Sequence, residues 1–108
     1  MASSVRLAYV TAPSLEGARE MGRTLVGERL AACVNILPGV RSIYPWEGRI
    51  EESEEVVMIC KTTADRSGRL EQRIRELHPY RIPCVLVLPV EDGNAAFLEW
   101  VVESVKPG

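Results

Sequence analysis

Apolar residues recur along this chain in two rhythms. Val5 to Val10 is a short apolar run rich in strand formers, broken by Thr11-Ala12-Pro13-Ser14. The Ser14 hydroxyl can accept from the free amides of a first helical turn. Leu15, Ala18, Met21, Gly22, Leu25 and Val26 then share one stripe at 3.6-residue spacing, with Glu16, Arg19, Glu20 and Arg23 pointing elsewhere. This predicts a helix over about 15–29. The β-branched segment 31–44 reads as a strand, with a bulge at Pro38-Gly39 because proline lacks a ladder donor. Pro45-Trp46-Glu47-Gly48 is a turn, and the chain returns over 49–62 as the second arm of a long hairpin. Leu70, Ile74 and Leu77 mark a second helix over about 65–77, stopped by His78-Pro79. Cys84 to Leu88 is a continuous apolar run, read as a strand covered on at least one face. Asp92-Gly93-Asn94 supplies a turn and cap, and a last helix places Leu98, Val101, Val102 and Val105 inward.

The order βαββαβ plus a terminal helix predicts one α+β domain over residues 1–108. It is a ferredoxin-like sandwich with an antiparallel sheet and a long central hairpin. Hairpin arms of 14 residues reach on the order of 45 Å at ~3.3 Å per residue. A domain of this size is roughly 35 Å across. The tip therefore overhangs its own core, and an isolated two-stranded ribbon is marginal in water. It carries Ile43, Tyr44, Trp46 and Ile50, which are costly to leave wet. Pairing with further copies of the chain resolves both problems, and a closed ring covers the sheet edges.

Composition narrows the classes. The chain has 108 residues, 46% hydrophobic and 26% charged, with a net charge of −2. That is the balance of a globular domain, with no broad pull toward nucleic acid or anionic membrane. The start lacks the basic segment and apolar run of a secretory signal, and no apolar stretch approaches a bilayer span. Three cysteines at wide spacing make neither a disulfide framework nor a CxxC knuckle. A reducing cytoplasm is the natural expectation, with no membrane insertion.

Ala31-Ala32-Cys33-Val34-Asn35-Ile36, Pro38-Gly39-Val40, Ser42-Ile43-Tyr44, Trp46-Glu47-Gly48, Lys61-Thr62 and His78-Pro79-Tyr80 come in an order that resembles the CutA divalent-cation-tolerance family. The resemblance extends from Thr11 to Trp100. It implies a cytoplasmic homotrimer of ferredoxin-like subunits with a role in tolerance to divalent metals, copper above all; the residues themselves offer no catalytic constellation, so no enzymatic activity is expected. It also implies an architecture similar to the PII signalling proteins. A trimer binding a small molecule or a partner protein in its subunit clefts is therefore the alternative function. Arg81 and Cys84 stand where the family usually carries acidic residues. This puts hard-cation binding there in doubt.

Candidate chemistry is sparse. Cys33 offers a thiolate suited to copper or zinc, or else a small apolar residue on a sheet. Cys60 and Cys84 read as core. His78, the only histidine, is a metal ligand or a helix C-cap. Copper or another divalent cation is the expected partner of Cys33 and His78, and no cofactor is expected to be needed for folding. Glu51, Glu52, Glu54 and Glu55 read as a solvated face or a guard against strand pairing. Tyr44, Trp46, Lys61 and Tyr80 are candidates for an inter-subunit pocket, with Lys61 holding a carboxylate or phosphate; interface packing is the alternative for the aromatics.

An acylphosphatase-like enzyme needs an arginine-bearing phosphate cradle after the first strand, which Thr11-Ala12-Pro13-Ser14 lacks. An RNA-recognition module needs aromatics on its central strands, and the first strand offers only Tyr9 while the run 56–62 has none.

Overall fold

The computed structural model describes residues 3–108. Strand β1 (Val5–Ala12) leads into helix α1 (Leu15–Gly27), followed by the hairpin strands β2 (Cys33–Trp46) and β3 (Arg49–Thr63). Helix α2 (Ala64–Leu77), strand β4 (Val85–Pro89) and helix α3 (Ala95–Ser104) complete the chain. The sheet is antiparallel in the order β2-β3-β1-β4, the ferredoxin-like arrangement expected from the sequence.

Local chemistry explains the boundaries. The Ser14 side chain accepts from the Gly17 amide and caps α1. At its other end α1 stops at Gly27, two residues earlier than the apolar stripe suggests. Arg29 adopts φ 59° while Leu30 N–H donates to Leu25 O and Arg29 N–H to Val26 O. This is a Schellman closure, and it turns Leu30 into the core instead of extending the helix. Arg73 of α2 then clasps the capping Glu28 with bonds of 2.8 and 3.0 Å. Asn94 caps α3 by accepting from the Ala96 and Phe97 amides.

One sheet face is sealed by α1 and α2. Ala18, Met21, Leu25, Leu70 and Ile74 bury Ala8, Val10, Ala12, Met58 and Cys60. On the other face α3 sets only Val101 and Val105 against Val5 and Ala32, and Leu98 joins them partly buried. Val102 is half-buried, short of the inward position expected for it. Alternation places Leu86 and Leu88, paired with Tyr9 and Leu7, on this second face. They are 59% and 46% exposed, because β4 is an edge strand that α3 does not cover.

The hairpin runs past this body. Between Leu37 and Val40 the register shifts at Pro38-Gly39, with Gly39 at φ 81°. Beyond the bulge, Val40–Trp46 pairs with Arg49–Glu55, while β1 pairs only with residues 56–63 of β3. The distal ribbon is thus two strands wide, and the long axis of the chain is 45 Å. Ile43 and Ile50 on it are 67% and 82% exposed.

The tip is a two-residue turn in which Glu47 and Gly48 both have positive φ, 49° and 77°. That matches a type I′ hairpin turn, where asparagine is preferred at the first position. Glu47→Asn is expected to raise stability by about 0.5 kcal/mol, since asparagine tolerates left-handed backbone better than glutamate. A higher thermal unfolding midpoint checks it.

Candidate functional site

The side chains singled out from the sequence fall into separate groups. On the second sheet face, Cys33 of β2 lies opposite Lys61 of β3. The Lys61 ammonium donates to Asn35 Oδ1 at 2.5 Å, reaches Cys33 Sγ at 3.5 Å, and sits 5.6 Å from the centre of the Phe97 ring of α3. Lys61 is therefore held by neutral partners in a half-buried position. Asn35 and Phe97 were not legible as its neighbours. Two-residue alternation aligns Asn35 with Cys33, but only the fold brings α3 over them.

His78 belongs to the opposite end of β1. Its backbone closes α2 by donating to Ile74 O, the C-cap expected as the alternative to a ligand role. The buried ring shares a 2.7 Å bond with Thr11 O through Nε2, and Nδ1 accepts from the Tyr80 amide at 3.1 Å. Together these bonds define an imidazole that donates from Nε2 and accepts at Nδ1, with both nitrogens engaged. Cys33 aligns through Lys61 with Leu7 of β1, whereas His78 sits at Thr11, about 13 Å further along the strand. One chain does not bring Cys33 and His78 together. Among the described residues no group of three or more His, Cys, Asp or Glu side chains could hold a metal ion.

The four aromatic and lysine candidates do not form one pocket within the chain. Trp46 stands at the hairpin tip, and Lys61 is six residues, roughly 20 Å, along β3 from Glu55. Tyr44 and Tyr80 reach the same stretch of β3, two residues apart at Ser53 and Glu55. Tyr80 donates to Glu55 Oε2 at 2.9 Å, Tyr44 shares a 3.3 Å bond with Ser53 Oγ, and the Tyr80 ring packs against His78 at 4.9 Å. Glu55 is only 7% exposed, which corrects its assignment to a solvated acidic face. Its chain neighbour Glu54 stays exposed, as expected. A hint lay in its place directly before the apolar run 56–60, where the hairpin re-enters the body of the fold.

The cysteines divide as well. Cys60 is fully buried, and burial followed by the nearby Cys33 pushes its thiol up to about 12. Cys84 is half-buried just ahead of β4, so it is not the core residue expected.

The description "CutA1 divalent ion tolerance protein" matches residues 6–104. The chain belongs to this family. It is 45% identical over 95 residues to the divalent-cation tolerance protein CutA of Thermus thermophilus, covering 88% of this chain and 92% of that protein. It is 47% identical over 98 residues to protein CutA of Mus musculus, covering 91% of this chain and 55% of the mouse protein. The chain thus spans about half the length of that mammalian relative. The solved structure of CutA from Xylella fastidiosa superposes with a TM-score of 0.95 at 39% identity, covering 96% of this chain and 100% of that one. Among the described residues no helix is long and apolar enough to cross a membrane.

Two outcomes follow for the CutA1 site. Loss of hydration, then the bond to Glu55 and its charge, with a lesser effect of Tyr44, push the Tyr80 phenol up to about 12. The folded value lies above the unfolded value of 10.0. The stabilisation this gives is therefore complete below about pH 10 and lost as the pH rises toward 12. Ultraviolet titration should show one tyrosine ionising late, and Tyr80→Phe should remove that step. Thiol labelling at pH 8 should modify Cys33 and Cys84 in the native protein but Cys60 only after denaturation.

Proposed function

We propose that this CutA1-family chain acts in the cytoplasm as a non-catalytic homotrimer that supports tolerance to divalent cations, copper foremost, by binding the ion. The observation that carries the reading is the unpartnered surface. The two-stranded distal ribbon and the apolar second sheet face, with Leu86 and Leu88, ask for further copies of the chain. The family description supports the cation role.

A soft ion needs more donors than one chain gathers. Cys33 supplies a thiol, and His78 could ligate only by giving up its bond to Thr11 O or to the Tyr80 amide. A shared ion on this reading takes Cys33 from one copy and His78 from another. The alternative is a PII-like trimer that binds a small molecule or partner protein at the subunit clefts. It draws support from Tyr44 and Tyr80 reaching Ser53 and Glu55 on one face of the ribbon, where a neighbour would have to seat.

Calorimetric titration with Cu²⁺ separates the two. Saturable binding that is lost in Cys33→Ala and in His78→Ala is expected, and binding unchanged in both variants overturns the ligand assignment. His78→Ala should also lower stability by about 1–3 kcal/mol in metal-free buffer, because it leaves Thr11 O and the Tyr80 amide without their partner. A denaturant melt with chelator measures that part separately.

A further inference from the structure

Cys33 and Lys61 face each other across the β2–β3 ladder, and their reactive atoms touch. The Lys61 nitrogen stands 3.5 Å from Cys33 Sγ. Reacting atoms held at ~3–3.5 Å are placed to close into a bond. One chain fixes the nitrogen there, since Asn35 Oδ1 accepts from it and the Phe97 ring of α3 flanks it at 5.6 Å. The contact is therefore independent of whatever copies of the chain cover this face. Among the described residues no other amine touches a cysteine sulfur, and the second lysine, Lys106, is paired with Glu103. Nor does Cys33 have a thiol in reach within its chain. Cys60 pairs with Val34, so alternation turns it into the core on the opposite face, where it is fully buried. Sulfurs pointing to opposite faces do not bridge. Cys84 precedes Val85, which pairs with Val10, whereas Lys61 pairs with Leu7. That is three residues, about 10 Å, along the sheet, beyond the roughly 7 Å that a disulfide spans between Cα atoms.

A thiol so placed has a particular oxidative fate. Sulfenic acids condense with nitrogen as well as with thiols. Here the nucleophile already in contact is the Lys61 nitrogen. Cys33 is half-buried in its own chain, and hydrogen peroxide, scarcely larger than water, needs no more opening than the ion discussed above. We propose that Cys33 and Lys61 form an oxidative modification site, at which peroxide drives a sulfenamide cross-link between β2 and β3. In the first step the Cys33 thiol and hydrogen peroxide become a sulfenic acid and water, the sulfur giving up two electrons. In the second the Lys61 nitrogen attacks that sulfur, and the S–N bond forms as the S–O bond breaks. Of the two protons the nitrogen sheds, one leaves with the hydroxyl as water and the other passes to solvent. An external thiol reverses the reaction by attacking the sulfur and releasing the amine. The bond removes the Lys61 charge and the Cys33 thiol together. Where Cys33 ligates the ion, the cross-link withdraws that ligand; this consequence rests on the metal reading, and the cross-link itself does not.

The test treats the full chain with hydrogen peroxide in chelator, blocks the remaining thiols under denaturing conditions, and reads intact mass and a tryptic map. The expected product has lost two hydrogens and takes up one blocking group fewer. The peptides carrying Cys33 and Lys61 run as one, and trypsin no longer cuts after Lys61. Dithiothreitol should restore the starting chain. Unfolding in urea before the peroxide should slow the cross-link on the order of tenfold or more, because the fold supplies the proximity. Lys61→Arg should leave a Cys33 sulfenic acid that dimedone traps. The wild-type map is decisive even if Lys61→Arg fails to fold. Cys33 left untouched, taken on to a sulfinic acid, or joined by a disulfide to a second copy, with Lys61 still cleaved, overturns the proposal. So does a cross-link formed equally fast in urea, or the same loss of two hydrogens in Lys61→Arg. All of this is measured without metal, so failure of the copper-ligand assignment leaves the result standing.

Discussion

Backbone pairing in the distal half of the hairpin runs on one side only. From Val40 to Trp46, and from Arg49 to Glu55, each strand has its hairpin mate and nothing beyond it, because β1 stops at Ala12, opposite Val56. Open edges and exposed isoleucines are then carried on a ribbon too narrow to be stable by itself. The other peculiarities of the chain follow from this. Glu52 and Glu54 stand exposed on the ribbon, the register shifts at Pro38-Gly39 where the ribbon leaves the body, and the edge strand β4 presents Leu86 and Leu88 uncovered.

Much of this was legible in the sequence, because the relevant signals are local. Helix stripes, the Ser14 and Asn94 caps, the Pro-Gly bulge and the overhang all follow from spacing and backbone preference. The end of α1 was not, since Arg29 takes a left-handed conformation that glycine usually fills. Nor was the uncovered state of the apolar run in β4. Apolar composition says that a surface wants cover, and not whether its own chain provides it.

The candidate site was legible residue by residue but not as a grouping. Tyr44 and Tyr80 could be named from the sequence, yet Glu55, the carboxylate that Tyr80 bonds, was assigned to solvent, because a glutamate in an acidic run reads as exposed. Cys33 and His78 are both suited to soft metals, but the strand register sets them at opposite ends of the sheet. The His78 ring spends both nitrogens on tying α2 and the following loop to β1. Residue type announces chemical capacity. Only register and topology decide which capacities meet.

The claim on which the rest turns is that copies of this chain complete one another's sheets. Light scattering coupled to size-exclusion chromatography on the metal-free protein addresses it most directly. A single species at three times the 12.0 kDa chain mass is the expected result. A stable species at the mass of one chain, with the hairpin intact, would contradict it.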